Sequence, residues 1–546
     1  MVNKQKHIEM KPLLKRILLA FVLTAVSVSA SAVIYDIPVS DAQTWSNDAI
    51  SSRRTGDTIR FSVPLIVNRN YGYNFSGLSM SPRRIFSPTN QAIPLSDEYK
   101  TLLALNSKAS FNLSGCSYHR NGERLHNLVA VVTGTLKVKF VSGTWEGNNT
   151  RAALEYNPPT VDIDTTHNVL VCGANLEYYL VQSLGTGYGP NDEYDHQKQR
   201  TKVKTALARI GADVYGLVEI EQGQSALAEI AADLTALTGH PYDYINDQGS
   251  VNGSYTKSGY VYRSDRIQPV GLLTRNNTVV QNRKMVQGFE LIENGERFVY
   301  SINHFKAKSG TGTGKNADQG DGQGIFNYSR LQEAQSVLQN LQSYQSYYGD
   351  NDVLIMGDLN AYAKEDPIRA FTDAGMYDLH RYFHGDNSYS YVYGEQAGYL
   401  DHAICNESLR KQVTGMNAWH VNSDEADQYT YDKSNDLTVF RYSDHDPVLV
   451  GLRLDSTLSI RMHADDPISH TGIVMIDGES FISNVSEWGE QHGYYEIYDI
   501  SGHKVQGVTQ ITESPCPVGN DLPAGLYVIR LYYAGETKTI KLMKLP

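Results

Sequence analysis

Four short stretches set acid, amide and imidazole side chains at the ends of apolar runs. In Met356-Gly357-Asp358-Leu359-Asn360 the run Val353–Met356 delivers Asp358 and Asn360 at alternate positions. A strand's period of two places both on one face. A carboxylate and an amide so placed can orient a water and hold a phosphate oxygen. In Tyr442-Ser443-Asp444-His445-Asp446-Pro447, Asp444 can ligate a metal or polarise a neighbour, and His445 titrates near neutrality and can take a proton from water. Ser443, Asp444 and His445 do not make a nucleophilic triad, because adjacent strand residues point to opposite faces. In Ser301-Ile302-Asn303-His304-Phe305-Lys306, His304 can donate to a phosphate oxygen, and Lys306 and Lys308 supply point charges. In Leu217-Val218-Glu219-Ile220-Glu221, Glu219 interrupts an apolar strand. A carboxylate there needs a partner or a metal, and a hard cation such as Mg²⁺ takes oxygen ligands of this kind. Asn175, in Ala174-Asn175-Leu176-Glu177, and Asp401, in Tyr399-Leu400-Asp401-His402, stand at two further strand ends.

Taken singly, each stretch reads as a surface turn or a satisfied side chain. Their order along the chain (Asn, Glu, His, Asp-x-Asn, Asp, Asp-His) carries the information. The elements that must position them alternate between helix and strand from about 166 to 455, an α/β signal. Val203, Ala206, Leu207 and Ile210 have helical spacing and stop at Gly211; Val214 to Ile220 reads as a buried strand, and 225–237 as a helix. Ser329 and Gln332 have the spacing of a capping box for a helix carrying Leu331, Ala334, Val337, Leu338 and Leu341. The glycine-rich stretch Ser309 to Gly324 between these helices reads as a flexible loop. Residues 33–165 read as a small all-β domain, with Asn68-Arg69-Asn70 as a turn and Asn157-Pro158-Pro159 opening a linker. Residues 456–546 return to strand and turn signals alone, the pattern of a compact β-sandwich.

The chain has 546 residues and a formal charge of −12, which argues against a tight, non-specific nucleic-acid coat but leaves room for an enzyme that releases its product. Lys11, Lys15 and Arg16 precede an apolar run, Ile17 to Val28, and then Ala30-Ser31-Ala32. That is the form of a cleaved export signal over 1–32, too short for a membrane anchor, which needs about 20 apolar residues. No later segment is apolar enough to span a bilayer. Export permits disulfides, yet Cys172 and Cys405 sit in apolar runs where buried thiols are equally expected; Cys116 and Cys516 are the others.

The ordered set resembles the endonuclease/exonuclease/phosphatase superfamily, the DNase I-like fold. The phrases Gly259-Tyr260-Val261-Tyr262-Arg263, Asp321-Gly322-Gln323-Gly324, Glu365-Asp366-Pro367 and Trp419-His420-Val421-Asn422-Ser423-Asp424-Glu425 resemble secreted bacterial endonucleases of the ExeM/NucH type. The resemblance implies a multidomain chain with a four-layer α/β sandwich at its centre, flanked by a small N-terminal β domain and a C-terminal β-sandwich. It implies Glu219, Asn175 and Asp444 as metal ligands for Mg²⁺, with Mn²⁺ or Ca²⁺ as alternatives. His445 oriented by Asp401, together with His304, Asp358 and Asn360, would do the catalysis, and Tyr262, Arg263, Lys306 and Lys308 would contact substrate. The implied substrate is nucleic acid, DNA before RNA. The remaining readings are the same chemistry on a lipid phosphoester, as in sphingomyelinases, or on another phosphoester, and a non-catalytic surface binder. Tyr495 to Gly502, Leu522 to Leu531 and Lys541-Leu542 resemble a type IX secretion sorting domain, implying the outer-membrane secretion machinery as a partner and a secreted or cell-surface bacterial protein.

Overall fold

A computed structural model describes residues 33–70, 77–147, 151, 157–163, 165–247, 255–275, 283–455, 473–476, 479–482, 493–512, 516–533 and 536–544. The segment read as an export signal lies outside them. No helix among the described residues is long and apolar enough to cross a membrane. The chain divides into two compact units after Leu454.

At the centre, two six-stranded mixed sheets lie face to face. The first runs in spatial order Tyr242–Tyr244, Thr256–Arg263, Val214–Glu221, Val169–Tyr179, Val448–Leu452, Val413–Ala418. The second runs Ile267–Arg275, Lys284–Leu291, Arg297–Asn303, Val353–Asp358, Asp401–Cys405, Tyr377–Asp378. Val171, Val218, Tyr300, Ile302, Met356 and Val450 share the apolar layer between them. The sheets approach closely at Gly216, where a Cβ would stand 2.2 Å from the Tyr300 hydroxyl, so no larger residue fits. The outer face of the first sheet is covered by helices Glu193–Ile210 and Ser225–Thr238, that of the second by Asn327–Tyr348 and Asp366–Asp373. Each layer follows from its sequence pattern. Val203, Ala206, Leu207 and Ile210 bury one stripe of the first helix, which ends at Gly211 in the left-handed region (φ 62°).

The residue range of the long helix agrees with its periodicity, but its cap does not. It starts at Asn327 after Phe326, and the Ser329 hydroxyl bonds Asn316 instead of closing a capping box with Gln332. The glycine-rich stretch before it is pinned at its end: the Gln323 carbonyl accepts from Arg330 and Lys308, and the Gln323 side chain exchanges hydrogen bonds with Asp366. Cys172 and Cys405 are buried free thiols, and Cys116 and Cys516 are also free.

The N-terminal β domain is a small barrel ordered Ile34–Asp36, Thr58–Arg60, Arg124–Gly134, Leu65–Asn70, Leu78–Ser81, Phe111–Ser114, Lys137–Glu146, with the last strand also pairing to Arg124–Gly134. Its core gathers Trp45, Phe61, Leu65, Val67, Phe111 and Leu125. Asn68-Arg69-Asn70, expected as a turn, is strand: Asn68 bonds the backbone of Arg83 and Ile85, so its polar side chain is satisfied in place. Buried ion pairs fasten the barrel to the α/β domain. Arg84 meets Asp424 at 2.8 Å, Arg151 meets Glu425 at 2.6 Å, and Arg120 binds the same Glu425. A second seam joins Ser87 and Ile85 to Ala397 through the backbone, and Thr89 to Glu365 at 2.9 Å.

The unit from Asp455 onward holds a three-stranded antiparallel sheet (Ile473–Ile476, Glu479–Ile482, Cys516–Pro517) and a four-stranded one ordered Lys504–Gln510, Tyr494–Asp499, Gly525–Tyr533, Glu536–Lys544. Ile482, Ile497, Val518, Ile529 and Leu531 share its apolar cluster.

Candidate active site

Glu219, His304 and Asp358 bring ligand atoms within 4.8 Å of one another, and so do Asp358, Asp401 and His445. Asp358 is common to both sets. It closes the strand Val353–Asp358, which pairs with Arg297–Asn303 on one side and Asp401–Cys405 on the other. Gly357 allows this meeting, since its φ is 120° and a Cβ there would stand 2.0 Å from the Asn303 carbonyl. Asn360 lies just past the strand in the left-handed region (φ 49°). Its amide N–H donates to Asp358 Oδ1 at 2.9 Å, and its side-chain amide donates to the Phe305 carbonyl at 3.2 Å.

Glu219 reaches the cluster through an irregularity in its strand. Leu217 pairs with Gly259 and Ile220 with Lys257, so Val218 and Glu219 together oppose Ser258 alone. Glu219 takes φ 57° at this bulge. Bulges re-aim side chains beside functional sites. The next strand opens at the same level: its register to Val214–Glu221 shifts between Asn175 and Tyr179, with Glu177 and Tyr178 also at positive φ. Asn175 donates to Asp358 Oδ2 at 3.3 Å, and the Tyr178 amide donates to Glu219 at 3.2 Å.

The histidines approach from the second sheet and from the loop before Val448. His304 Nε2 stands 3.6 Å from both Glu219 and Asp358. Burial, then the charges of Arg283, His445 and Lys306, keep its pKa well below the usual imidazole value. His445 is held through Nδ1 by Asp401 at 2.7 Å, and Asp401 Oδ2 also accepts from the Ser390 hydroxyl at 2.7 Å. Nε2 of His445 faces Asp358 at 4.0 Å and Asp444 at 3.9 Å. Burial alone would depress His445, but Asp401, Asp444 and Asp358 outweigh it and hold the imidazole well above its usual pKa. Burial pushes Asp358 up to about 7 and raises Glu219, the latter helped by Asp444.

Glu219 and Asp358 are thus both pushed toward the neutral form, and the two groups that converge, Glu219/His304/Asp358 and Asp358/Asp401/His445, could each hold a metal ion. The carboxylates of either group suit a hard divalent cation; Asp444, expected as a ligand, lies outside both groups.

Of the residues expected to contact substrate, the structure keeps only Lys306 near the cluster. It lies two residues from His304, half-buried, its ammonium 4.4 Å from the Phe326 ring. Tyr262 and Arg263 are at the wrong end of the sheet. Tyr262 pairs with Val214, five residues before Glu219, roughly 17 Å along the strand. Tyr262 packs on Phe289, and Arg263 binds Asp265 at 2.8 Å. Lys308 is spent on the fold, bonding Glu365 at 2.6 Å and the Gln323 carbonyl at 2.7 Å. The second strand-end acid, Glu221, also serves the backbone, accepting the amides of Val181, Gln182 and Ser183.

The structure adds Ser390, Tyr391 and Arg441. Tyr391 stacks on His445 with ring centroids 4.6 Å apart. It opens the hairpin Tyr391–Tyr393 and Gln396–Gly398, whose backbone is tied to the barrel through Ala397. Its signal in the sequence is only a Ser-Tyr pair before a Gly-containing turn. Arg441 takes φ 59° just before the Asp444-His445 pair and bonds Asp427 at 2.6 Å.

A model of the Endonuclease/Exonuclease/phosphatase family matches residues 165–445. Among solved structures, the human Nocturnin catalytic domain with bound sulfate anion is similar at 16% identity over 54% of this chain and 97% of its own (TM-score 0.37). An endonuclease/exonuclease/phosphatase from Bacteroides vulgatus is similar at 16% over 53% and 99% (TM-score 0.36). TDP2 of D. rerio complexed with single strand DNA product is similar at 14% over 52% and 97% (TM-score 0.33). No curated protein matches the chain.

Proposed function

The chain belongs to the endonuclease/exonuclease/phosphatase family, and we propose that it is a secreted, metal-dependent phosphodiesterase that hydrolyses nucleic acid, DNA before RNA, in the manner of ExeM/NucH-type endonucleases. The observation that carries the chemistry is the Asp401–His445 pair at 2.7 Å, with the free edge of the imidazole turned toward Asp358 and Asp444.

Phosphodiester hydrolysis needs an activated water in line with the leaving oxygen and donors for the charge that grows on phosphorus. Asp401 fixes one proton of His445 on Nδ1; Nε2, which the surrounding carboxylates keep protonated, would be free to accept a proton from water once a bound cation offsets their charge. His445 and Asp358 are 4.0 Å apart, too far to bond each other and close enough to hold a common third atom. Asp358 and Asn360 orient the nucleophile and the phosphate. His304, neutral in its buried setting, donates to a non-bridging oxygen, and Lys306 adds a charge nearby. Held by Glu219, Asn175 and Asp444, Mg²⁺ would supply a Lewis acid for the phosphoryl group.

The export pattern at 1–32 supports a secreted protein, and the C-terminal antiparallel sheets support a type IX sorting tail addressed to the outer-membrane machinery. The test is turnover of plasmid, linear DNA, RNA and sphingomyelin with and without EDTA. Cleavage of DNA that EDTA abolishes is expected. Hydrolysis of sphingomyelin alone, or full activity in EDTA, would overturn the reading.

A further inference from the structure

The junction between barrel and α/β domain encloses a cleft of about 390 Å³. Arg69, Asn70 and Asn121 of the barrel line one side; Glu177, Arg441 and Asp444 line the other. Asp444 ties this cleft to the catalytic cluster, since its carboxylate is 3.9 Å from His445 Nε2. We propose that the N-terminal barrel is the far wall of the substrate cleft and grips the nucleic-acid backbone beyond the scissile phosphate. This rests on the nuclease reading above and adds where the rest of the polymer lies.

The wall cannot swing away as a tethered module would, because buried ion pairs and a backbone seam hold the barrel to the α/β domain. Asn121 shows how close the coupling is: its amide N–H donates to the Asp424 carbonyl at 3.0 Å, and its side-chain oxygen accepts from Asn70 at 2.9 Å. Glu425 is neutralised by Arg120 and Arg151, and Asp427 by Arg441. Arg69 and Lys433, both exposed, add two cations to a lining that also holds the exposed Asp427 and, toward the cluster, Asp444. A cleft that reaches Asp444 and carries two exposed cations suits a phosphodiester chain whose reacting group lies at the cluster and whose neighbouring phosphates meet Arg69 and Lys433. Tyr393, 73% exposed, stands at the same mouth. It offers a ring face to a base without regard to sequence. The volume is at the lower end of ligand sites, about 300–1,000 Å³, enough for a nucleotide and far more than one phosphate needs.

The experiment uses the full chain with Mg²⁺ and single-stranded oligodeoxynucleotides of two, four and eight residues. For the wild type, KM should fall about tenfold from the dinucleotide to the octanucleotide. In Arg69→Ala/Lys433→Ala that fall should shrink below twofold, and the dependence of KM on salt should flatten. Tyr393→Ala should lose part of it, and Arg69→Lys should restore part of the effect. A thermal melt of each variant establishes folding. A folded double variant that keeps the wild-type length and salt dependence would overturn the cleft assignment while leaving the nuclease reading intact, and so would a wild type indifferent to length. A wild type that cleaves no nucleic acid would overturn both.

Discussion

Asp401→Asn is the sharpest perturbation of the proposed proton chemistry. Asp401 is 3% exposed, so substrate does not touch it, and any effect must pass through His445. Its Oδ2 accepts two hydrogen bonds of 2.7 Å, from His445 and from Ser390. Asparagine keeps the shape but removes the charge, and its NH₂ can turn toward His445 and demand the other tautomer. A hydrogen bond to a charged group is worth about 1.5–3 kcal/mol. At about 1.36 kcal/mol per decade this is roughly a 10- to 160-fold loss in kcat. KM should move less than about threefold, and the protein should stay folded because the isostere leaves no cavity. Steady-state kinetics on DNA, read beside a thermal melt, is the assay. A folded Asp401→Asn with near-native kcat would mean that His445 is not the base, or that its orientation does not depend on Asp401.

Glu219→Gln should raise the half-saturating Mg²⁺ concentration at least tenfold and blunt the rise in melting temperature that Mg²⁺ produces in the wild type; an unchanged metal titration would move the ligand set elsewhere. Tyr391→Ala should lower kcat about tenfold with little change in KM while Tyr391→Phe retains activity, which separates ring stacking on His445 from hydroxyl chemistry. Glu425→Gln should destabilise the protein by about 3 kcal/mol in urea unfolding, since it strips a buried carboxylate from Arg120 and Arg151. Deleting 456–546 should leave specific activity intact in purified protein, because the chain divides after Leu454 and the catalytic cluster lies wholly before it; a folded but inactive truncation would make the tail part of the site.

The convergence of Glu219, His304, Asp358, Asp401 and His445 was legible because these residues sit where apolar strands meet polar residues, and strand ends at one edge of two stacked sheets converge. That logic has a blind spot, since a strand has two ends. Tyr262 and Arg263 close a strand antiparallel to Val214–Glu221, so the chain direction carries them to the far edge. Lys308 failed for another reason: its partner Glu365 is 57 residues away, and no local pattern reveals that pairing. The Glu219 bulge was equally hidden, because the interrupted apolar run reads the same whether the acid points to solvent or is turned inward by an extra residue. Helix extents followed from periodicity and Gly211, whereas Ser329 lies inside the first turn and its hydroxyl bonds Asn316 of the short 3-10 turn Gly314–Asn316. The barrel's role at the cleft left no trace in its own sequence, since its lining residues acquire meaning only from Asp424 and Glu425, some three hundred positions downstream.

The strand order of the first sheet also governs when activity can arise. Val169–Tyr179, near the start of the α/β domain, is flanked by Val214–Glu221 and, on its other edge, by Val448–Leu452 from the very end of that domain. Until residue 452 has been made, Asn175 stands on an open edge strand and His445 has no anchored strand behind it. Any shorter polypeptide, from interrupted synthesis or proteolysis, therefore exposes an unpaired β edge and lacks an assembled catalytic centre. Such long-range pairing slows folding, and the cluster can assemble only after nearly the whole α/β domain has been made.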